Sequence, residues 1–211
     1  MARGLQFQGL QLKSLQFKSL QFKSFRLKGL LAAGLLSLPV AAPLATALTP
    51  APASALELNG QTYFTQPPWK VDLRYYYWYA NQAMPEIYFT VTLAENAGAD
   101  LGGLVITQTR GVDRNFSLAP QRARAFLGLP RQEGMAVPVE AEFNDGTRTM
   151  RVQFPQPVQP GQTVTLVLRP PLNPMWADTY MFAVQALPAG PNPVPASLGF
   201  ATMDILNRTS W

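Results

Sequence analysis

The sequence predicts an all-β protein, a single β-sandwich of about seven strands preceded by an N-terminal segment that lies outside it. Three observations predict this. Between Glu86 and Ala186, β-branched and aromatic residues recur in short alternating runs of six to eight residues, the pattern of half-buried strands. Asn, Asp, Gly and Pro separate those runs, and these are turn-forming residues. Only Ala119–Leu127 carries any helical signal, and it is weak.

The first predicted strand is Val71–Tyr79 (VDLRYYYWY). Strand alternation would place Tyr75, Tyr77 and Tyr79 on one face and Tyr76 and Trp78 on the other. Ile87–Leu93 (IYFTVTL) and Leu104–Thr109 (LVITQT) follow, then Val137–Phe143 (VPVEAEF) and Thr149–Phe154 (TMRVQF). Asn144-Asp145-Gly146-Thr147 between the last two reads as a hairpin turn in which Gly146 takes a positive φ. Pro155, Pro157, Pro160 and Gly161 end that run, because proline cannot continue a central strand. Thr163–Arg169 (TVTLVLR) and Thr179–Ala186 (TYMFAVQA) complete the set. This number and spacing suit an immunoglobulin-like sandwich. A domain spanning 56–211 is large enough to bury roughly 70% of its unfolded surface without covalent cross-links.

Residues 1–55 are of another kind. A five-residue repeat, from Gly4-Leu5-Gln6-Phe7-Gln8 to Ser24-Phe25-Arg26-Leu27-Lys28, precedes an uncharged apolar stretch, Leu30 to Leu48. A Pro/Ala-rich segment then ends at Ala53-Ser54-Ala55. A basic region, an apolar region and an A-x-A site are the marks of a secretory signal peptide. Cleavage is expected after Ala55, with Ala47 the second choice. The competing reading is a retained anchor, since Leu30–Leu48 is 19 residues long, about enough to cross a bilayer. Pro39, Pro43 and the abundance of alanine favour cleavage. Until then, membrane contact is expected through residues 1–48. A five-residue period advances 140° per unit on a helix and builds no apolar stripe, so the repeat reads as a duplication within the leader.

Charge follows the same division. The chain has 17 basic and 12 acidic side chains, a net +5, but six of the basic residues and none of the acidic ones lie before Leu56. The domain keeps 11 basic and 12 acidic residues and is close to neutral. The excess of positive charge therefore belongs to the leader, and no nucleic-acid partner is expected. There is no His and no Cys. That excludes disulfides, thiolate nucleophiles, imidazole bases and the usual zinc ligand sets. No cofactor or metal site is expected, and no catalytic residue stands out.

Two surfaces are candidates for binding. Arg110, Arg114, Arg122, Arg124 and Arg131 fall within 22 residues, and guanidinium forks suit sulfate, phosphate or carboxylate groups. Arg110 and Arg114 bracket Asp113 and equally suit a structural tie between a strand end and a loop. Tyr75, Tyr77 and Tyr79 form an aromatic row able to stack on sugar rings or anchor a protein, or simply to pack in the core. Glu140 and Glu142 share a strand face, a geometry open to acid–base work but commoner in solvated faces.

Longer motifs carry a family resemblance. Tyr88-Phe89-Thr90-Val91-Thr92-Leu93, Glu95-Asn96-Ala97-Gly98, Val105-Ile106-Thr107-Gln108 and Arg110-Gly111-Val112-Asp113-Arg114 occur in order. They are followed by Phe154-Pro155-Gln156-Pro157-Val158, Leu168-Arg169-Pro170, Asn173-Pro174, Tyr180-Met181-Phe182 and Pro188-Ala189-Gly190. The series, from about Pro68 to Phe200, resembles an exported family found in cyanobacteria and catalogued as domain of unknown function 2808. The resemblance implies a signal-bearing β domain of the cell envelope, periplasm or exterior, and transfers no activity or site residue. The leader repeat and the aromatic run Tyr75–Tyr79 depart from the family pattern. The expectation is an exported, non-enzymatic protein that works by binding, to an envelope polysaccharide or another envelope protein, or by building envelope structure. The alternatives are a carbohydrate-active hydrolase with a Glu/Asp pair and a membrane-anchored accessory subunit.

Overall fold

The computed structural model describes residues 56–208, so the signal-peptide reading, both cleavage sites and the repeat lie outside the described residues. Twelve strands form in this span: β1 Leu56–Leu58, β2 Gln61–Tyr63, β3 Asp72–Tyr75, β4 Ile87–Thr92, β5 Leu101–Arg110, β6 Arg124–Leu129, β7 Gln132–Val137, β8 Glu140–Asn144, β9 Thr149–Val158, β10 Thr163–Leu168, β11 Asp178–Pro188 and β12 Ala196–Ile205. A single 3-10 turn, Pro120–Arg122, is the only helical element among them. No helix of the described residues is long and apolar enough to cross a membrane.

The strands make two five-stranded antiparallel sheets, in the orders β3-β4-β10-β6-β7 and β12-β11-β5-β9-β8, with β1 and β2 as a separate hairpin. Both sheets supply one continuous apolar core, which makes the domain a β-sandwich. Ile87, Phe89 and Val91 of β4 and Val164, Leu166 and Leu168 of β10 point inward from one sheet. Leu104, Ile106, Val152, Phe182 and Val184 meet them from the other. Phe89 and Phe182 touch across the interface edge to face, with ring centroids 6.0 Å apart, the arrangement that aromatic quadrupoles favour.

Several predicted elements change form, each for a physical reason. The first strand stops at Tyr75, and Tyr76 to Trp78 are irregular. Val137–Phe143 divides at Pro138, which lacks an N–H for pairing; the chain leaves the first sheet there and enters the second as β8. The helix candidate becomes the 3-10 turn followed by β6, because pairing with β10 overrides a helix-tolerant sequence. Strand β9 runs on through Pro155 and Pro157. It does so where its pairing with β8 has already ended, at Gln153, and where its register against β5 shifts. In the turn between β8 and β9 the positive φ falls on Arg148, at 55°, and not on Gly146.

The outer face of the β3-β4-β10-β6-β7 sheet is covered by its own hairpin. Gly128, at φ 114°, bends β6, and a Cβ there would sit 2.5 Å from Gln132 O. Thr165 Oγ1 on β10 donates to Gly128 O at 2.6 Å. The Arg131 guanidinium at the hairpin tip lies 3.8 Å from the Tyr76 ring centroid. Beneath this cover Tyr88, Phe126 and Val167 form a second apolar cluster, joined by Tyr76.

Candidate functional site

Along the edge of that covered face the structure gathers a set of charges. β4 and β10 pair in register to Ile87↔Leu168, and one residue beyond, Arg169 forms an ion pair with Glu86 through Nη2 and Oε1. Tyr88 Oη donates to the other carboxylate oxygen of Glu86 at 2.5 Å. Arg124 on β6 grips Glu133 on β7 with two parallel hydrogen bonds, both 2.8 Å, the fork geometry that carboxylates fit best. Its guanidinium also lies 5.6 Å from the Phe126 ring centroid. Arg122, at the end of the 3-10 turn, completes a cleft of about 540 Å3 walled by Met84, Glu86, Arg122 and Arg169.

The titration behaviour follows from these contacts. Burial opposes ionisation of Glu86, but the Tyr88 hydroxyl and the Arg169 guanidinium outweigh it and hold the carboxyl below its ordinary value of 4.5. Burial, then the hydrogen bond to Glu86, pushes the Tyr88 phenol up to about 12. The bond from Arg124 holds Glu133 low, and the same bond raises Arg124. Both carboxylates are thus occupied by guanidinium partners. Among the described residues no carboxylate lies within ion-pair distance of Arg122 or Arg131. With Arg74 and Asp72, which share this face through the β3–β4 register, the face carries five arginines against three carboxylates, in a domain whose net charge is close to zero.

The predicted arginines are divided between places. Arg122, Arg124 and Arg131 share this face. Arg110 ends β5 in the other sheet, and Arg114 is exposed in the loop after it. The tie expected of Arg110 and Arg114 is made by Asp113 itself: its Oδ2 accepts from Met175 N at 2.7 Å and its Oδ1 from Asn115 N at 2.9 Å. The aromatic row is broken up as well. Tyr75 packs against the core, its oxygen accepting from Asp204 N at 3.0 Å. Tyr76 turns to the outer face against Tyr88, edge to face at 5.5 Å. Tyr77, Trp78 and Tyr79 are exposed at one end of the sandwich. Glu140 and Glu142 stand exposed on β8, with Arg151 3.8 Å from Glu142.

Other contributors were not singled out as site residues, although Arg169 and Asn173 lie in motifs of the family resemblance. Glu86, Arg169 and Met84 become a site only through strand pairing. Segment 77–84 is stitched to segment 171–174 by five hydrogen bonds: Asn81 N to Pro174 O, Met84 N to Pro171 O, Asn173 N to Gln82 O, and Asn173 Nδ2 to Tyr77 O and Tyr79 O. The arginine cleft and the exposed rings therefore stand on one pair of crossed segments. Arg148 is structural. Only 2% exposed, it donates to Gln108 Oε1 at 2.9 Å, to Asp145 Oδ1 at 2.6 Å and to Phe116 O. Among the described residues no cluster of three carboxylates could hold a metal ion.

The family described as "Protein of unknown function (DUF2808)" matches residues 61–205, which takes in both sheets and the whole cleft. The chain belongs to that family. No curated protein matches this DUF2808 chain. Among solved structures it is similar to the RrgA Jo.In complex (13% identity over 71% of this chain and 89% of that one, TM-score 0.38). It is also similar to the C-terminal domain of the Streptococcus pyogenes antigen I/II-family protein AspA (12% identity, 64% and 46%, TM-score 0.40). A third is BslA, a bacterial hydrophobin (17% identity, 66% and 98%, TM-score 0.37). Scores this low describe β architecture loosely and say nothing of function.

Proposed function

We propose that this DUF2808 protein is an exported binding protein of the cell envelope that holds an anionic glycan at the cleft of Met84, Glu86, Arg122 and Arg169. The observation that carries the reading is the imbalance of charge at the cleft. Arg169 and Arg124 have carboxylate partners, whereas Arg122 has none among the described residues and faces an open volume of about 540 Å3. A guanidinium beside a partly enclosed cavity favours an incoming carboxylate or sulfate. Binding is favoured over glycosidic hydrolysis because the one carboxylate in the cleft, Glu86, is held low, whereas a general acid needs its pKa raised. Export rests on the leader of residues 1–55, with cleavage after Ala55.

The test is native affinity electrophoresis of the full-length protein in gels containing dextran sulfate, polygalacturonate or uncharged dextran. Retardation in the two anionic gels is expected, and Arg122→Glu should reduce it at least fivefold. Arg151→Glu makes the same charge change on the far sheet and should leave it unchanged. Since all variants carry the same basic leader, the difference reports the cleft alone. Equal retardation of all three proteins would overturn the assignment.

A further inference from the structure

A second cavity, of about 290 Å3, opens at the same end of the sandwich between segments 113–117 and 171–176. Three features distinguish it from the arginine cleft. Its wall includes Asn173, which is 3% exposed and whose Oδ1 has no hydrogen-bond partner. The amide nitrogen of Asn173 is fully used, donating to Tyr77 O at 2.8 Å and Tyr79 O at 3.0 Å. Buried acceptors are nearly always satisfied; this one is sealed from solvent and marks incomplete packing beside the cavity.

The second feature is Trp176, 60% exposed and yet held on a fixed backbone. Tyr180 Oη, rising from the core, donates to Trp176 O at 2.9 Å. The preceding residue is pinned by Met175 N to Asp113 Oδ2, and Pro174 O accepts from Asn81 N at 3.1 Å. The ring is thus presented to solvent by a loop that cannot fold it away. The third feature is the polar rim. Asn81 and Asn115 line the cavity, and among the described residues neither side-chain amide makes a hydrogen bond.

An exposed, anchored aromatic face beside planar amides offering both donors and acceptors matches a ring with an apolar C–H face and hydroxyl edges. Asp113, also in the wall, disfavours an anionic group here. We propose that this groove binds a neutral pyranose residue, which stacks on Trp176 and directs hydroxyls to the side-chain amides of Asn81 and Asn115. The proposal rests on the glycan-binding reading above for the nature of the polymer and adds a place on it separate from the cleft of Arg122 and Arg169.

The experiment is a titration of the 15N-labelled full-length chain with cellohexaose, mannohexaose, xylohexaose and chitohexaose. Indole and side-chain amide signals are followed by NMR, with Trp176 assigned through Trp176→Phe. At least one sugar should shift the Trp176 indole and the Asn81 and Asn115 amides saturably, leaving Trp69 unmoved. Trp176→Ala should weaken that sugar tenfold or more, and Trp176→Phe, which keeps a ring, by less. No saturable shift with any of the four sugars, or a shift indifferent to Trp176→Ala, would overturn the proposal. So would concentration-dependent broadening of Trp176 without sugar, which would mark a protein contact. Retention on dextran sulfate should survive Trp176→Ala, and the neutral-sugar shift should survive Arg122→Glu, so each reading fails by itself.

Discussion

The outer faces of the two sheets follow opposite rules. On the β12-β11-β5-β9-β8 sheet the outward positions of β8 and β9 are polar and open to solvent: Arg151 and Gln153 alternate with buried Met150 and Val152 along β9, Glu140 and Glu142 are exposed on β8, and Thr107 and Thr149 hydrogen-bond across the strands at 3.0 Å. On the β3-β4-β10-β6-β7 sheet the outward residues Tyr88, Phe126, Thr165 and Val167 are as buried as the core. The cause is local. The β6–β7 hairpin bends at Gly128 and lays its tip over the face, so a sheet in a two-layer sandwich acquires a partial third layer. The candidate binding arginines border the covered face, where a fixed surface holds them in place.

The sharpest way to break that contrast is to place the same charge on each face. Val167→Glu puts a carboxylate where no solvent reaches and should lower the unfolding free energy by about 3 kcal/mol or more. Gln153→Glu, exposed on β9 of the other sheet, should change it by less than about 0.5 kcal/mol; urea midpoints compare the two. Next in size, Gly128→Ala strains a positive-φ position against Gln132 O and should cost about 2 kcal/mol. Hydrogen exchange should then quicken at β10 amides and leave β5 and β11 protected, if the hairpin covers one face only.

Smaller effects come from titration. Tyr88 beneath the cover and Tyr180 in the core both ionise only near 12, largely through burial, against an ordinary value of 10.0. The unfolded chain loses those protons first. Stability is therefore complete below pH 10 and falls between 10 and 12, and absorbance at 295 nm should show these two phenols titrating late. Glu86 acts at the other end and least. Its pKa is lowered from 4.5, so its contribution is present above 4.5 and is lost as pH falls through the lower folded value. Glu86→Gln should flatten acid unfolding in that window and, by removing a charge that raises Tyr88, make the Tyr88 phenol titrate earlier on the alkaline limb while Tyr180 stays late.

The sequence carries some of this plainly and hides the rest. β4, β5, β10 and β11 are legible because β-branched and aromatic residues crowd them. The Asn59-Gly60 turn of the first hairpin is a strong local signal, with both residues at positive φ. β6 (RAFLGL) and β12 (ASLGFATMDI) are not legible, since Ala, Ser, Gly, Leu and Met favour no strand by themselves; partners impose the state. Arg122 and Arg124 stand out as charges, but Glu86 and Arg169 are 83 residues apart and meet only through the β4–β10 register. Trp176 has no motif around it. Its significance arises from Tyr180, four residues on, and from Asp113 and Asn81, which come from two distant stretches of chain.

Asn173 has a consequence that concerns change over many generations. Its side chain grips main-chain carbonyls at 77 and 79, and the other three stitches also end on backbone atoms. None of these five hydrogen bonds uses a side-chain atom at 77, 78 or 79. Substitutions there leave this set of bonds in place, so one backbone frame can carry different surfaces.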